Sequence, residues 1–389
     1  MLMDRLYPVG IQNFEKLRRD GYYYVDKTAL MYRLVTTGSY YFLSRPRRFG
    51  KSVLISTLEA YFQGKSELFD GLEIAGLEKE WKKYPVLHLD LNISKYDNED
   101  SLDEMLNRSL TDWEREYGSD ASETSLALRF SGAIRRAHEK TGERVVILVD
   151  EYDKPMLQAI SDEALQTTFR NTLKPFYGVL KSEDAHIRFA LLTGVTKFGK
   201  VSVFSDLNNL DDISWDPSYA TICGISGKEL IENFQQDIAD LAEANGLSFD
   251  EACRKLKADY DGYRFCPESP GIYNPFSILC TFRKKRFGNY WFQTGTPTYL
   301  VGLLKKSDYD LEELSHIQTD ADTLDCIFSD ENPVPVIYQS GYLTIKQYDS
   351  EFGIYTLGFP NREVEEGFMR FLMPYFSSST RNIDKWMVK

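Results

Sequence analysis

The residues best suited to chemistry are Ser44-Arg45-Pro46-Arg47-Arg48-Phe49-Gly50-Lys51-Ser52. An apolar, strand-like run precedes them (39–46), and apolar residues at helical spacing follow from Lys51 to Phe62. A glycine between strand and helix lets the backbone wrap an anion. The lysine behind it reaches β- and γ-phosphates, and the serine hydroxyl suits Mg²⁺. Amides at the start of the helix add partial positive charge. The usual spacing has another glycine five residues before Gly50, where this chain has Arg45. With Arg47 and Arg48 it puts three guanidinium groups on the loop, suited to clamping polyphosphate or donating charge in cis. The expected phosphate-binding set is Arg45, Pro46, Arg47, Arg48, Phe49, Gly50, Lys51, Ser52 and Val53, with Ser52 also a metal ligand.

A second element supports a nucleoside triphosphate site. Val145-Val146-Ile147-Leu148-Val149 ends in Asp150 and Glu151. An aspartate closing a buried strand organises Mg²⁺ through its hydration shell. A glutamate beside it is placed to polarise an attacking water. Asp150 is therefore expected at the metal, and Glu151, with Lys51, in catalysis. The run 186–195 carries Thr193 at the end of another strand, where a polar side chain can sense the γ-phosphate; Lys197 is a further candidate.

These residues need a frame. Strands are expected at 39–46, 85–92, 144–151 and 186–195, with helices at 51–62, 101–117 and 162–181. Strand alternating with helix predicts an α/β fold with a parallel sheet covered on both faces, as in P-loop nucleoside triphosphatases. Past residue 215 the pattern turns helical. Residues 226–246 and 248–260 read as amphipathic helices with serine starts. The region 333–389 reads as a short helix from Val336 to Ser340, two strands, then a helix from Arg362 to about Pro374. That order is compatible with a winged-helix-like segment. The expected domains are 1–217, an ATPase core; 218–300, a helical lid and connector; and 301–389, the winged-helix-like part.

Several blocks resemble the AAA-ATPase-like family, whose members are often fused to a C-terminal PD-(D/E)xK nuclease domain. They include Tyr23-Tyr24-Val25-Asp26-Lys27-Thr28, FLSRPRRFGKS, YPVLHLDL, VDEYDKP, LTGVTKFGKVSVFSDLNNLDDIS, YDGYRF, YNPFSIL, YWFQTGTPTYL, IYQSGYLTI and YTLGFPN. The resemblance runs from about residue 6 to 375. It implies an ATP-binding core of the signalling-type branch of AAA-like proteins, and Arg45 looks like a trait of the family. It also implies that Lys51 and Ser52 serve phosphate and Mg²⁺, Asp150 and Glu151 metal and water, and Thr193 the sensor role. A nuclease domain would follow the YTLGFPN block, but the chain ends at Lys389, so no nuclease activity is expected from it. Glu80-Trp81-Lys82, with Asp70 upstream, spells the nuclease letters in a polar, helix-like stretch without strand alternation.

The chain has 389 residues, 46 Lys and Arg against 59 Asp and Glu, and a net charge of −13. Such a balance disfavours bulk polyanion binding, so nucleic-acid contact must be local. The local candidate is 281–306, basic and interleaved with aromatics, followed by a strongly acidic stretch at 307–331 that can pair with it. Five cysteines form no CxxC pair, and no apolar run is long enough to span a membrane, which suits a cytoplasmic protein. The four histidines show no ligand spacing.

The favoured reading is an ATPase using ATP and Mg²⁺ that couples nucleotide state to a fused or associated nuclease-type effector, alone or as an oligomer. Two alternatives stay open: a non-hydrolysing ATP/ADP switch, and a nucleic-acid-binding regulator.

Overall fold

The computed structural model describes residues 5–197, 209–292, 304, 317–325 and 332–376. Contacts divide the chain into two compact units. One is Met1–Ile225 with Asp325–Ile327; the other is Ser226–Leu324 with Phe328–Lys389.

The first unit is built on five strands: β1 (Tyr40–Ser44), β2 (Val86–Asp90), β3 (Val145–Asp150), β4 (Ile187–Gly194) and β5 (Asp211–Asp212). They lie in the order β2-β3-β4-β1-β5, and every neighbouring pair is parallel. Parallel neighbours require crossover connections, and helices supply them. The helix Lys51–Phe62 follows β1, Ser101–Tyr117 and Leu126–Thr141 lie between β2 and β3, and Glu163–Ser182 lies between β3 and β4. Successive residues of a strand face opposite sides, yet all six of β3 are buried, so both faces of the sheet are covered there. Burying each of its Val, Ile and Leu side chains stabilises the fold by roughly 1.5–3 kcal/mol.

Local signals set the crossovers. Ser101–Tyr117 buries Leu102, Met105, Leu106, Leu110 and Trp113, one stripe at helical spacing. Ser125 caps the next helix by accepting from Leu128 N at 3.2 Å, and left-handed Gly142 ends it. Asp162 accepts from Leu165 N at 3.0 Å to start Glu163–Ser182. Two helices not expected from periodicity, Phe14–Arg19 and Thr28–Thr37, precede β1. Residues 78–85 are irregular, not helix-like, and Lys82 there pairs with Glu143 at 2.8 Å. Nothing sets Glu80 and Lys82 on a strand.

The second unit opens with two capping boxes. Ser226 with Glu229 starts Gly227–Ala244, and Ser248 with Glu251 starts Phe249–Tyr260. The helix Pro275–Lys284 is capped by Asn274. A short helix, Val334–Gln339, precedes the hairpin Thr344–Asp349 and Ile354–Gly358, which leads into Arg362–Phe376. A third strand, Ile317–Thr319, adds antiparallel to Ile354–Gly358. At three residues it was too short to show in the sequence. Of the basic stretch 281–306, Arg283, Lys284, Lys285 and Arg286 are described and exposed; 293–303 and 305–306 lie outside the described residues, as does most of the acidic stretch after it.

Candidate nucleotide site

All five parallel strands point their carboxyl ends to one edge of the sheet, the edge where such sheets bind ligands. Ser44 at the end of β1 is in register with Gly194 of β4, and Asp90 of β2 with Asp150 of β3. β4, late in the chain, lies between β1 and β3. That insertion brings Thr193 beside Asp150, 43 residues away in sequence, and its hydroxyl donates to Asp150 Oδ1 at 2.7 Å.

The loop after β1 leaves the sheet through Arg45 N, which donates to Gly194 O at 3.1 Å. Gly50 is left-handed (φ 98°) immediately before the helix, a conformation that glycine adopts without strain. Arg48 is also left-handed (φ 67°). Anion-binding backbone nests use such residues. Lys51 is buried. Its Nζ donates to the carbonyls of Arg45 (3.0 Å) and Pro46 (3.3 Å) and lies 3.6 Å from Glu151 Oε1. Ser52 and Val53 are half-buried in the first turn, and Phe49 is buried beneath the loop.

Arg45 stands elsewhere than its spacing suggested. The residue is 1% exposed, and its guanidinium donates to the carbonyls of Ser44 (2.9 Å), Ser214 (2.9 Å) and Tyr219 (3.2 Å). The expected three guanidinium groups on the loop surface are thus two, Arg47 and Arg48, both exposed. The third ties the end of β1 to the segment after β5. Lys197 is likewise committed: it is buried, pairs with Asp212 at 2.9 Å and also contacts Asp325.

The acidic strand end is sharply turned. Glu151 has φ 55°, a left-handed conformation rare outside glycine, and its N–H donates to Asp150 Oδ1 at 3.0 Å. The chain then enters the short helix Lys154–Gln158. Asp153 occupies the N-cap position of that helix but makes no side-chain cap there. Its carboxylate turns instead to the end of β4, where it accepts from Val195 N, Thr196 N and the Thr196 hydroxyl. Asp153 is fully buried, and burial, with the nearby charge of Glu151 adding to it, pushes its carboxyl up to about 6. Sequence reasoning assigned Asp150 and Glu151 in the VDEYDKP block and left Tyr152 and Asp153 without a role. The only available signal was the extra acid three residues on.

Among the described residues no cluster of three or more His, Cys, Asp and Glu is arranged to hold a metal. Mg²⁺ on a nucleotide does not need one, since it retains waters and takes phosphate oxygens beside one or two protein ligands. Asp150 fits that demand. Both of its neighbours, Thr193 and the Glu151 amide, bond Oδ1, and Oδ2 takes neither. Two histidines distant in sequence do meet: His138 Nδ1 lies 2.9 Å from His186 Nδ1, away from this edge, at the other end of β4.

The family described as predicted AAA-ATPase, AAA-ATPase-like, matches residues 8–204. A protein of Azotobacter chroococcum mcd 1, described as an uncharacterized protein in the vnfD 5' region, is 41% identical over 363 residues, spanning 92% of this chain and 68% of that protein. Among solved structures, the Aeropyrum pernix ORC2 protein in ADPNP–ADP complexes aligns over 90% of this chain and 93% of its own, at 10% identity and a TM-score of 0.29. No described helix is long and apolar enough to cross a membrane.

Proposed function

The chain belongs to the AAA-ATPase-like family, and from that premise we propose that it binds ATP with Mg²⁺ on the 45–53 loop and hydrolyses it. The observation that supports this reading is the convergence of Lys51, Asp150, Glu151 and Thr193 at one sheet edge, from three strands far apart in sequence.

Each residue has a role that its position suits. Loop amides and Lys51 bind the phosphates; Lys51 exchanges its contacts with the Arg45 and Pro46 carbonyls for phosphate oxygens. Arg47 and Arg48, exposed on the loop, add charge. Ser52 and Asp150 would hold Mg²⁺, which when bound neutralises charge on the β- and γ-phosphates. Glu151 takes a proton from the attacking water, and Thr193 holds the Asp150 carboxylate and through it would sense the γ-phosphate. Burial of Lys51 and Asp150 strengthens these electrostatic interactions.

The second unit is read as a lid, Gly227–Ala244 and Phe249–Tyr260, followed by a winged-helix-like helix–hairpin–helix, and as the part that conveys nucleotide state to an effector. Exposed Arg283, Lys284 and Arg286 are the described part of the local nucleic-acid contact proposed for 281–306. A cytoplasmic setting fits the free cysteines.

The test is ATP turnover and ATP binding by the purified chain, Lys51→Ala and Glu151→Gln. Turnover lost in both variants, with binding retained in Glu151→Gln, is expected. Binding without turnover in the wild type would favour the non-hydrolysing switch. Arg45 gives that alternative less support than its position in the sequence did, since its side chain serves the fold.

A further inference from the structure

The VDEYDKP block leaves two buried groups that no step above uses. Tyr152 is 1% exposed, and its hydroxyl donates to Thr196 O at 2.8 Å. Its amide donates to Thr193 O at 3.0 Å. Asp153, fully buried, gathers three donors from the end of β4: Val195 N (3.1 Å to Oδ2), Thr196 N (2.6 Å) and Thr196 Oγ1 (2.6 Å).

This allocation is unusual for an aspartate at an N-cap position. Such a residue ordinarily accepts from amides of its own helix. Here the cap is forgone, and an ionisable group is buried to hold a neighbouring strand end, a costly arrangement unless it is well satisfied. The approach is close enough to demand a glycine. A Cβ at Gly194 would lie 2.5 Å from the Tyr152 ring and 2.6 Å from Asp153 Oδ1. The two held segments are those that carry the proposed chemistry. Thr193 lies two residues before Val195, and left-handed Glu151 lies two residues before Asp153.

We propose that Tyr152 and Asp153 are positioning residues that lock the end of β4 onto the turn after β3, so that Thr193 stays on Asp150 and Glu151 keeps the backbone conformation that aims its carboxylate at Lys51. The proposal rests on the ATPase reading for its kinetic consequence, but the clamp itself is a structural claim with its own readout. A left-handed glutamate is strained and persists only where its surroundings hold it. The clamp would supply that constraint from one side, since Tyr152 and Asp153 are bonded to the end of β4 immediately after Glu151.

The experiment compares wild type with Asp153→Ala, Thr196→Val and Thr196→Ser. Steady-state ATP turnover, nucleotide Kd by calorimetry, Tm, and hydrogen–deuterium exchange over residues 190–197 are measured for each. Asp153→Ala and Thr196→Val are expected to lower kcat at least about tenfold while Kd stays within about twofold, because misplacement by an ångström harms chemistry more than binding. Exchange at 193–196 should rise in both, and Thr196→Ser should restore kcat and protection. Thr196→Val, which removes one of Asp153's bonds, serves where Asp153→Ala fails to fold. Unchanged exchange at 193–196, or unchanged kcat, overturns the clamp. So does a kcat that falls only in step with Kd and Tm. No turnover in the wild type would defeat the ATPase reading alone, and the exchange data would still decide the clamp.

Discussion

Lys51 Nζ lies 3.6 Å from Glu151 Oε1, joining the loop after β1 to the turn after β3 across 100 residues of sequence. Lys51 is 3% exposed and Glu151 19%, so water screens the pair only weakly. The two residues assigned to phosphate binding and water activation therefore neutralise each other when no phosphate is present.

Removing the charge of Glu151 frees Lys51 for phosphate. Glu151→Gln should bind ATP about three- to tenfold more tightly than wild type, the effect of losing a competing ion pair of ~1 kcal/mol. Calorimetric titration with a slowly hydrolysed analogue measures it. Weaker binding by the variant would mean that the pair does not compete with the nucleotide.

Thr193 gives its hydroxyl to Asp150 at 2.7 Å inside the core. Thr193→Val keeps the shape but removes the donor. Stability should fall by about 1–3 kcal/mol, because the carboxylate loses a buried partner. Turnover should drop at least about tenfold in the same variant. Thr193→Ser should recover most of both. Urea unfolding and steady-state kinetics separate the two effects.

Arg45 is a strut, so its loss should read as instability. Arg45→Ala strips donors from the Ser44, Ser214 and Tyr219 carbonyls and should cost about 3 kcal/mol or more. Arg45→Lys recovers only part, since an ammonium cannot span the same acceptors in one plane. Denaturant midpoints of the three proteins test this. A variant of native stability with weakened ATP binding would instead return Arg45 to the phosphate.

Stability of the second unit should fall with rising pH on account of Glu363. It is buried, accepting from Ser277 Oγ (2.7 Å) and Trp291 N (2.8 Å), and burial pushes its carboxyl up to about 7. Unfolded, it titrates near 4.5. Between those values the folded chain holds a proton that the unfolded chain has released. Its contribution is complete below about 4.5 and is lost as pH rises through about 7. That loss amounts to roughly 2–3 kcal/mol between pH 5 and 8. Glu363→Gln should remove this slope; its amide oxygen can still accept from Trp291 N, and its NH2 can donate to the Ser277 hydroxyl, reversing that bond. Asp153, raised to about 6, acts in the same sense in the first unit and is untouched by the substitution. Stability measured against pH for the two proteins isolates the Glu363 part.

Much of the frame was legible in the sequence because local forces set it. The helices Lys51–Phe62 and Ser101–Tyr117 run where apolar spacing placed them, and the four main strands lie within the apolar runs that announced them. Glycine and serine signals marked Gly50, Ser226 and Ser248 in the same way. The 44–52 loop, the acidic strand end and Thr193 could be picked out as candidates because residue types at fixed offsets from a strand end are what such chemistry requires. What needed the tertiary structure was everything set by strand order. The insertion of β4 between β1 and β3 decides that Thr193 reaches Asp150 and that Asp153 reaches Val195 and Thr196. Side-chain direction is equally hidden. Arg45 reads as a loop cation until its guanidinium is seen among the carbonyls of Ser214 and Tyr219, about 170 residues on. A sequence specifies which groups exist and how the backbone near them turns. Which groups then satisfy one another is a matter of packing between distant segments, where a buried polar group left without a partner is costly.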